Sequence, residues 1–284
     1  MNPVWNAIKN GARRGWTEFL YSVKSPQDQG FFLFTTAVML GYLFLNRNNE
    51  VTFGDAVVMY PTLALPSLMG ALIAFGMVIG VAYGLAMERE NGTLLRSKAA
   101  PYGVVGHATG QVVASVMSLV PSIGLLAIPG ILLFGDAFTL GGWGKALWVI
   151  ALGTLATLPI GMVIGATVPG VQKVGTWGML PFFAIVSISG IFTPMQALAP
   201  IFRGIAQVFP VYWIGLGMRS AFLPSSFAAF EIGESWRTLE TVAVLGIWAV
   251  VGLSLAPPLF RRMARRQSGS AVQQAREKMM QWVR

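Results

Sequence analysis

The sequence predicts an all-α, polytopic membrane protein. It has six transmembrane helices, an amphipathic interfacial helix before them and a re-entrant external hairpin between spans 5 and 6. Composition is the first observation: 55% of the 284 residues are hydrophobic, 11% are charged, and mean hydropathy is +0.64. Soluble domains carry about 45–50% apolar and about 25% charged residues, so most of this chain is suited to lipid rather than water. The second observation is a series of apolar runs of membrane length. The third is the gathering of basic residues into alternate connecting segments.

Residues 1–24 repeat apolar side chains at Trp5, Ile8, Ala12, Trp16, Phe19, Leu20 and Val23, with Lys9, Arg13, Arg14 and Glu18 on the other face. This pattern fits a helix lying on a membrane surface or packed on another subunit. The transmembrane domain is expected over 25–260. Its first apolar run, Phe31–Leu45, is too short for the ~20 residues a span needs. Ser25 as N-cap, Pro26 at the first helical position and Asp28 three residues after the cap start the helix earlier and supply the missing length.

The second run, Ala56–Met87, carries Pro61 and Pro66 and enters bent or begins in the interface. The third is Val104–Phe134, with Pro121 and Pro129. The fourth, Ala146–Val168, is stopped by Pro169-Gly170. The fifth runs from near Trp177 to about Phe192, and the sixth from about Thr241 to Phe260. No secretory signal precedes the first run, which is expected to remain in the mature protein.

Six spans place both termini on one side. The segments on that side, including the 88–103 loop, hold 15 of the 20 Lys and Arg residues, against 5 in the others. The positive-inside rule makes the termini and this loop cytoplasmic, in a multi-pass protein of the cell membrane. The tail, 261–284, is basic and carries a weaker amphipathic pattern at Val272, Ala275, Met279 and Trp282. The net charge of +9 is thus spread over short connectors, where it sets topology and attracts anionic lipid; nucleic acid is not an expected partner.

The stretch 192–222 is apolar but broken by Pro194, Pro200 and Pro210, and it contains Arg203 and Arg219. Two short helices beginning near Phe192, dipping into the outer leaflet and returning, satisfy the prolines and let the arginines reach water or headgroups. At the other side, five of the eleven residues 88–98 are ionisable, in a segment flanked by two apolar runs. Such a segment must emerge into water.

The stretch MERENGTLLRSKAAP, Met87–Pro101, resembles the cytoplasmic coupling segment of the ABC-2 family of ABC-transporter permeases. The string SGIFTPMQALAPIFRGIAQVFPVYW, Ser189–Trp213, resembles the signature that family carries between its last two spans. The two lie about a hundred residues apart, in the family's order. A narrower resemblance is to the daunorubicin-resistance type of drug and lipid exporter permease.

The resemblance implies a permease subunit of an exporter, working as a pair with a second permease copy, most simply an identical one. It also implies a separate cytoplasmic ABC ATPase in two copies. It assigns ATPase coupling to Glu88, Arg89, Glu90, Gly92, Thr93, Leu94 and Arg96. The charges would offer ion pairs, Gly92 a turn or helix stop, and Leu94 and Leu95 an apolar knob. The bland alternative is a charged loop that only sets topology.

The chemistry missing from the chain fits a subunit without catalysis of its own. A phosphate-cradling loop needs Gly-x4-Gly-Lys-Ser/Thr. The sole Gly-Lys pair, Gly144-Lys145, is followed by Ala146, and Thr139 stands where the first glycine should be. ATP and Mg are therefore expected on the partner subunit, and no cofactor on this one. There are no cysteines, and neither a His-rich nor a clustered-carboxylate metal site.

His107 is the one titratable residue expected near a span interior, as a packing or interfacial side chain rather than a proton carrier. A membrane enzyme is disfavoured for lack of catalytic groups at depth. Gly76, Gly80 and Gly84 in the second run, and Gly161 and Gly165 in the fourth, make small-xxx-small stripes that permit close helix contact. By the resemblance, the conduit is lined by the first, second and fifth spans, which here bear Phe, Met, Ser and Thr but no charge. That lining suits an amphipathic or lipid-like substrate. A polysaccharide or glycolipid exporter would show aromatic rungs such as Tyr60, Phe182 and Phe183, and a non-transporting assembly subunit is the remaining alternative.

Overall fold

A computed structural model describes residues 2–53, 56–93, 97, 102–134 and 140–266. The molecule is an all-α polytopic membrane protein. Helix α1 (Pro3–Lys24) is capped by Asn2, whose Oδ1 accepts from the Val4 N–H at 3.0 Å. Ser25 ends α1 and caps α2 (Pro26–Leu45): its Oγ accepts from the Asp28 N–H at 3.4 Å, and Pro26 opens the helix. The start signal read in the sequence is therefore the one the chain uses.

A short antiparallel hairpin was not expected. Strands β1 (Glu50–Phe53) and β2 (Ala56–Met59) pair in the register Glu50 with Met59 and Val51 with Val58. Val51, Thr52, Val57 and Val58 are β-branched and favour extended backbone over helix. The helix of the second run consequently begins at Tyr60, with Pro61 in its first turn where a missing N–H costs nothing.

That rod is the centre of the fold. It comprises α3 (Tyr60–Phe75), a π-helical turn (Gly76–Gly80) and α4 (Val81–Glu90). Leu65, Met69, Ile73 and Met77 on it are fully buried. Around it stand α5 (Gly103–Phe134), α6 (Leu140–Thr167), and a run made of α7 (Val171–Lys173), a second π-turn (Val174–Gly178) and α8 (Met179–Ser187). Two short helices follow, α9 (Pro200–Val208) and α10 (Pro210–Phe222), and then α11 (Thr238–Arg266).

Among the described residues five rods are long and apolar enough to cross a bilayer, α2, Tyr60–Glu90, α5, Gly141–Thr167 and Thr238–Leu255, and a sixth if the bent pair Pro200–Val208 and Pro210–Phe222 counts as one span. The fifth expected span is shifted. Its helical run, Val171–Ser187, is about 25 Å at the helical rise, shorter than those five rods, and starts there because Gly170 at φ +92° ends the preceding turn immediately before Val171. The sixth expected span continues as helix through Arg266, so the basic segment begins inside α11 rather than after it. Residues 267–284 lie outside those described.

The prolines of 192–222 act as the sequence predicts. Pro194 precedes a 3-10 turn at Met195–Ala197, and Pro200 and Pro210 open α9 and α10, which meet at a 91° bend. The arginine expectation is corrected for one of the two. Arg203 lies near the surface and donates to the carbonyls of Leu198 and Gln196. Arg219 is buried: α10 packs along α3, with Gly215 against Gly70, and a carboxylate meets the guanidinium there.

Candidate functional site

The charged residues at the end of α4 are held by four neighbouring elements. Glu88 Oε2 lies 2.8 Å from His107 Nε2 on α5, and Glu88 Oε1 lies 3.8 Å from the Arg14 guanidinium on α1. Arg14 also reaches His107 Nδ1 at 3.0 Å and pairs with Glu18 at 2.7 Å. A guanidinium only donates, so His107 Nδ1 is the acceptor and Nε2–H donates to Glu88. With 3% of its surface exposed, His107 is a buried link between α1 and α4.

Arg89 turns the other way. Its Nη1 donates to the carbonyls of Gly165 (2.8 Å), Ala166 (3.3 Å) and Val168 (3.1 Å) at the C-terminal end of α6. A helix end leaves carbonyls unpaired, and a cation there also complements the helix dipole. Glu90 Oε1 accepts from the Val171 N–H at 2.8 Å, capping the start of the next helical run. Adjacent side chains thus fasten both sides of the 168–171 elbow. Asn91 closes α4, and Gly92 at φ +71° turns the chain out of the helix. Thr93 is half-buried. Leu94, Leu95 and Arg96 lie outside the described residues.

Helix α1 is placed by backbone contact. A Cβ on Gly11 would lie 2.1 Å from the Gly106 carbonyl oxygen, and one on Gly15 would lie 2.2 Å from that of Gly110. Only glycines allow this seam. Trp5, Trp16 and Leu20 are left pointing outward. The helix therefore has three sides: a glycine seam on α5, an apolar face and a basic face. The apolar and basic faces were legible; the seam was overlooked, although Gly11-x3-Gly15 and Gly106-x3-Gly110 are its signal.

The five glycines singled out in the sequence divide. A Cβ on Gly161 would meet the carbonyls of Met77 (2.2 Å) and Val78 (2.7 Å), and one on Gly165 that of Ala82 (2.8 Å), so α6 lies backbone-close to the central rod. A Cβ on Gly84 would lie 2.8 Å from Gln111 on α5 and one on Gly76 3.3 Å from Leu119, whereas one on Gly80 would meet open space.

At the far end of the molecule a second polar cluster is buried. Arg219 Nε lies 2.5 Å from Glu231 Oε1, and its Nη1 donates to Ser67 Oγ at 2.9 Å and to the Gly190 carbonyl at 3.2 Å. Arg219 is 4% exposed and Glu231 6%. The pair ties together α3, the turn after α8, α10 and the segment before α11. It lines a cleft with Tyr60, Ser67, Gly190 and Phe230. Beside it, the Tyr60 hydroxyl bonds that of Tyr42 (2.7 Å) and donates to the Phe192 carbonyl (2.8 Å). Glu231 lies beyond the proline-marked stretch, and no local spacing points from it to Arg219.

Among the described residues no group of His, Cys, Asp and Glu could hold a metal ion. A family model described as ABC-2 type transporter matches residues 13–223. No match to a curated protein was found.

Proposed function

The chain belongs to the ABC-2 type transporter family and is an ABC-transporter permease, and from that premise we propose that it exports an amphipathic or lipid-like substrate or drug. ATP and Mg are bound and hydrolysed on a separate cytoplasmic ATPase present in two copies. A second, identical permease completes the conduit. The termini and the 88–103 segment face the cytoplasm of a cell membrane.

The single observation that carries the reading is the construction at the end of α4. Glu88, Arg89 and Glu90 fasten the turn at Asn91–Gly92 to α1, to α5 and to both sides of the 168–171 elbow. A subunit docked on Gly92, Thr93, Leu94 and Arg96 would therefore push on four rods at once. A spacer that only sets topology has no need of such fastening.

The apolar reading of the substrate is supported by the aromatics of the first, second and fifth rods. Phe182 is buried, and Tyr60 spends its hydroxyl on Tyr42 and Phe192. These two knit the rods together instead of forming open rungs for a glycan. Phe31, Phe34 and Phe183 face outward and are apolar throughout.

Native mass spectrometry of the complex purified from its own membrane tests the assembly, with two permeases and two ATPases expected. A single permease per pair of ATPases would contradict it. ATP-dependent movement of a fluorescent phospholipid analogue and of a cationic amphiphile, in proteoliposomes, tests the substrate class.

A further inference from the structure

Three rods that pack together each interrupt their α-helical bonding. In the central rod the Val81 N–H reaches back five residues to the Gly76 carbonyl, and in the next run the Met179 N–H reaches back five to Val174. Each π-turn accommodates one residue more than an α-helix would. Between them stands α6, where Pro159 has no N–H to donate to Leu155.

The three breaks are neighbours. Gly161, half a turn from Pro159, lies against Met77 and Val78 of the first π-turn. A Cβ on Gly178 of the second π-turn would lie 3.4 Å from Ile164 of α6 and 3.9 Å from Ile79 of the first π-turn. Each side of this plane has its own brace, while Glu88–His107 ties α4 to α5, which crosses the plane with its own proline, Pro121, beside the first π-turn. Toward the basic end, Arg89 and Glu90 join α4, the end of α6 and the start of α7. Toward the far end, Arg219, Glu231, Ser67 and the Gly190 carbonyl join α3 to the exit of α8.

We propose that these breaks form one hinge plane, at which α4, the C-terminal part of α6 and the Val171–Lys173 run swing as a single body against the far half of the molecule. Arg89 and Glu90 are the positioning residues that make the three rods move together. The smooth backbone contact of Gly161 and Gly165 with the central rod gives the swinging body a surface without interlocking side chains. The inference rests on the docking reading only for what drives the motion; the hinge itself is a property of this chain.

Spin labels test it, since the chain has no cysteine to remove. One pair, Met87→Cys with Leu132→Cys, spans the plane; a control pair, Val208→Cys with Leu132→Cys, lies on its far side. All three positions are exposed. A bend of about 20° at the π-turn, acting over the ~10 Å from Gly80 to Met87, displaces Met87 sideways by about 3–4 Å, which is the upper bound on the distance change in the first pair.

The hinge is removed by deleting Gly80, whose side faces open space, so that the π-turn reverts to an α-turn with its flanks in phase. A second variant, Pro159→Ala, restores the missing donor without adding bulk. In nanodiscs, the chain alone is expected to give a broader Met87–Leu132 distribution than either variant. In the complex trapped with ATP, Mg and vanadate, the wild-type pair shifts by up to about 3–4 Å, the variants shift by less than half the wild-type amount, and the control pair stays fixed.

Equal widths in wild type and variants would overturn the hinge, as would an equal shift or a moving control pair. Failure of any ATPase to co-purify with the wild-type chain would instead overturn the docking reading, and the width comparison would still decide the hinge.

Discussion

Removing one partner of the buried Arg219–Glu231 pair should destabilise the fold far more than removing both. Glu231→Gln leaves a guanidinium 4% exposed, still bonded to Ser67 and the Gly190 carbonyl but with no counter-charge. Arg219→Met leaves a carboxylate 6% exposed with its 2.5 Å partner gone. Breaking a buried pair from one side typically costs about 3–5 kcal/mol, because the survivor keeps its desolvation penalty without the attraction that offset it. Replacing both by apolar residues of similar volume removes penalty and attraction together.

The double variant Arg219→Met/Glu231→Leu should therefore lie within about 1–2 kcal/mol of wild type, and the cycle should show a coupling of at least about 2 kcal/mol. Reversible unfolding of the purified permease in mixed micelles, followed by far-UV circular dichroism against SDS fraction, measures all the variants. Single variants within about 1 kcal/mol of wild type, or a double variant costing the sum of the singles, would show that the two charges do not depend on each other.

Three further outcomes are expected. Gly15→Ala places a methyl group 2.2 Å from the Gly110 carbonyl oxygen, so α1 should lift from α5 at a cost of about 1–3 kcal/mol, read as faster tryptic cleavage at Arg13 and Arg14; an unchanged digest would show that the seam does not hold α1. A cysteine at Asn48 should react with an impermeant thiol reagent in intact cells while one at Ser268 should not, and the reverse pattern would invert the topology. Deleting Gln196–Gln207, which removes most of α9 but none of the 88–93 segment, should leave ATPase binding intact and abolish or deregulate export; unchanged transport would deny the hairpin a role.

Much of the architecture is written in local patterns that a sequence displays. Ser25-Pro26 with Asp28 sets the start of α2, and Pro200 and Pro210 set the starts of α9 and α10, because capping and a missing N–H act within one turn. The hairpin at 50–59 was hidden since four-residue strands of valine and threonine look like the edge of an apolar span. What failed is non-local. The Arg14–His107–Glu88 link joins three elements far apart in the chain, and its only sequence trace is a lone histidine one turn into a span. Arg219 read as an outer-face cation because its carboxylate, Glu231, sits across a change of element and of depth. The two π-turns carry no composition signal beyond Gly76, Gly80, Gly175 and Gly178, which fit α-helical packing equally well.

The most direct test of coupling through the end of α4 is the double variant Glu88→Lys/Glu90→Lys, made in the intact transporter. A lysine at position 88 would face Arg14 with like charge and could not accept from His107. A lysine at position 90 could not accept from the Val171 N–H, so the turn at Asn91–Gly92 would lose two of its fastenings. Co-purification of the ATPase and lipid-stimulated ATP turnover are measured together, with membrane insertion checked by thiol labelling at Asn48→Cys. Coupling through α4 predicts normal insertion with weakened ATPase association, or hydrolysis that no longer drives transport. Wild-type association and wild-type coupled turnover would contradict it and leave residues 88–93 as a topological spacer.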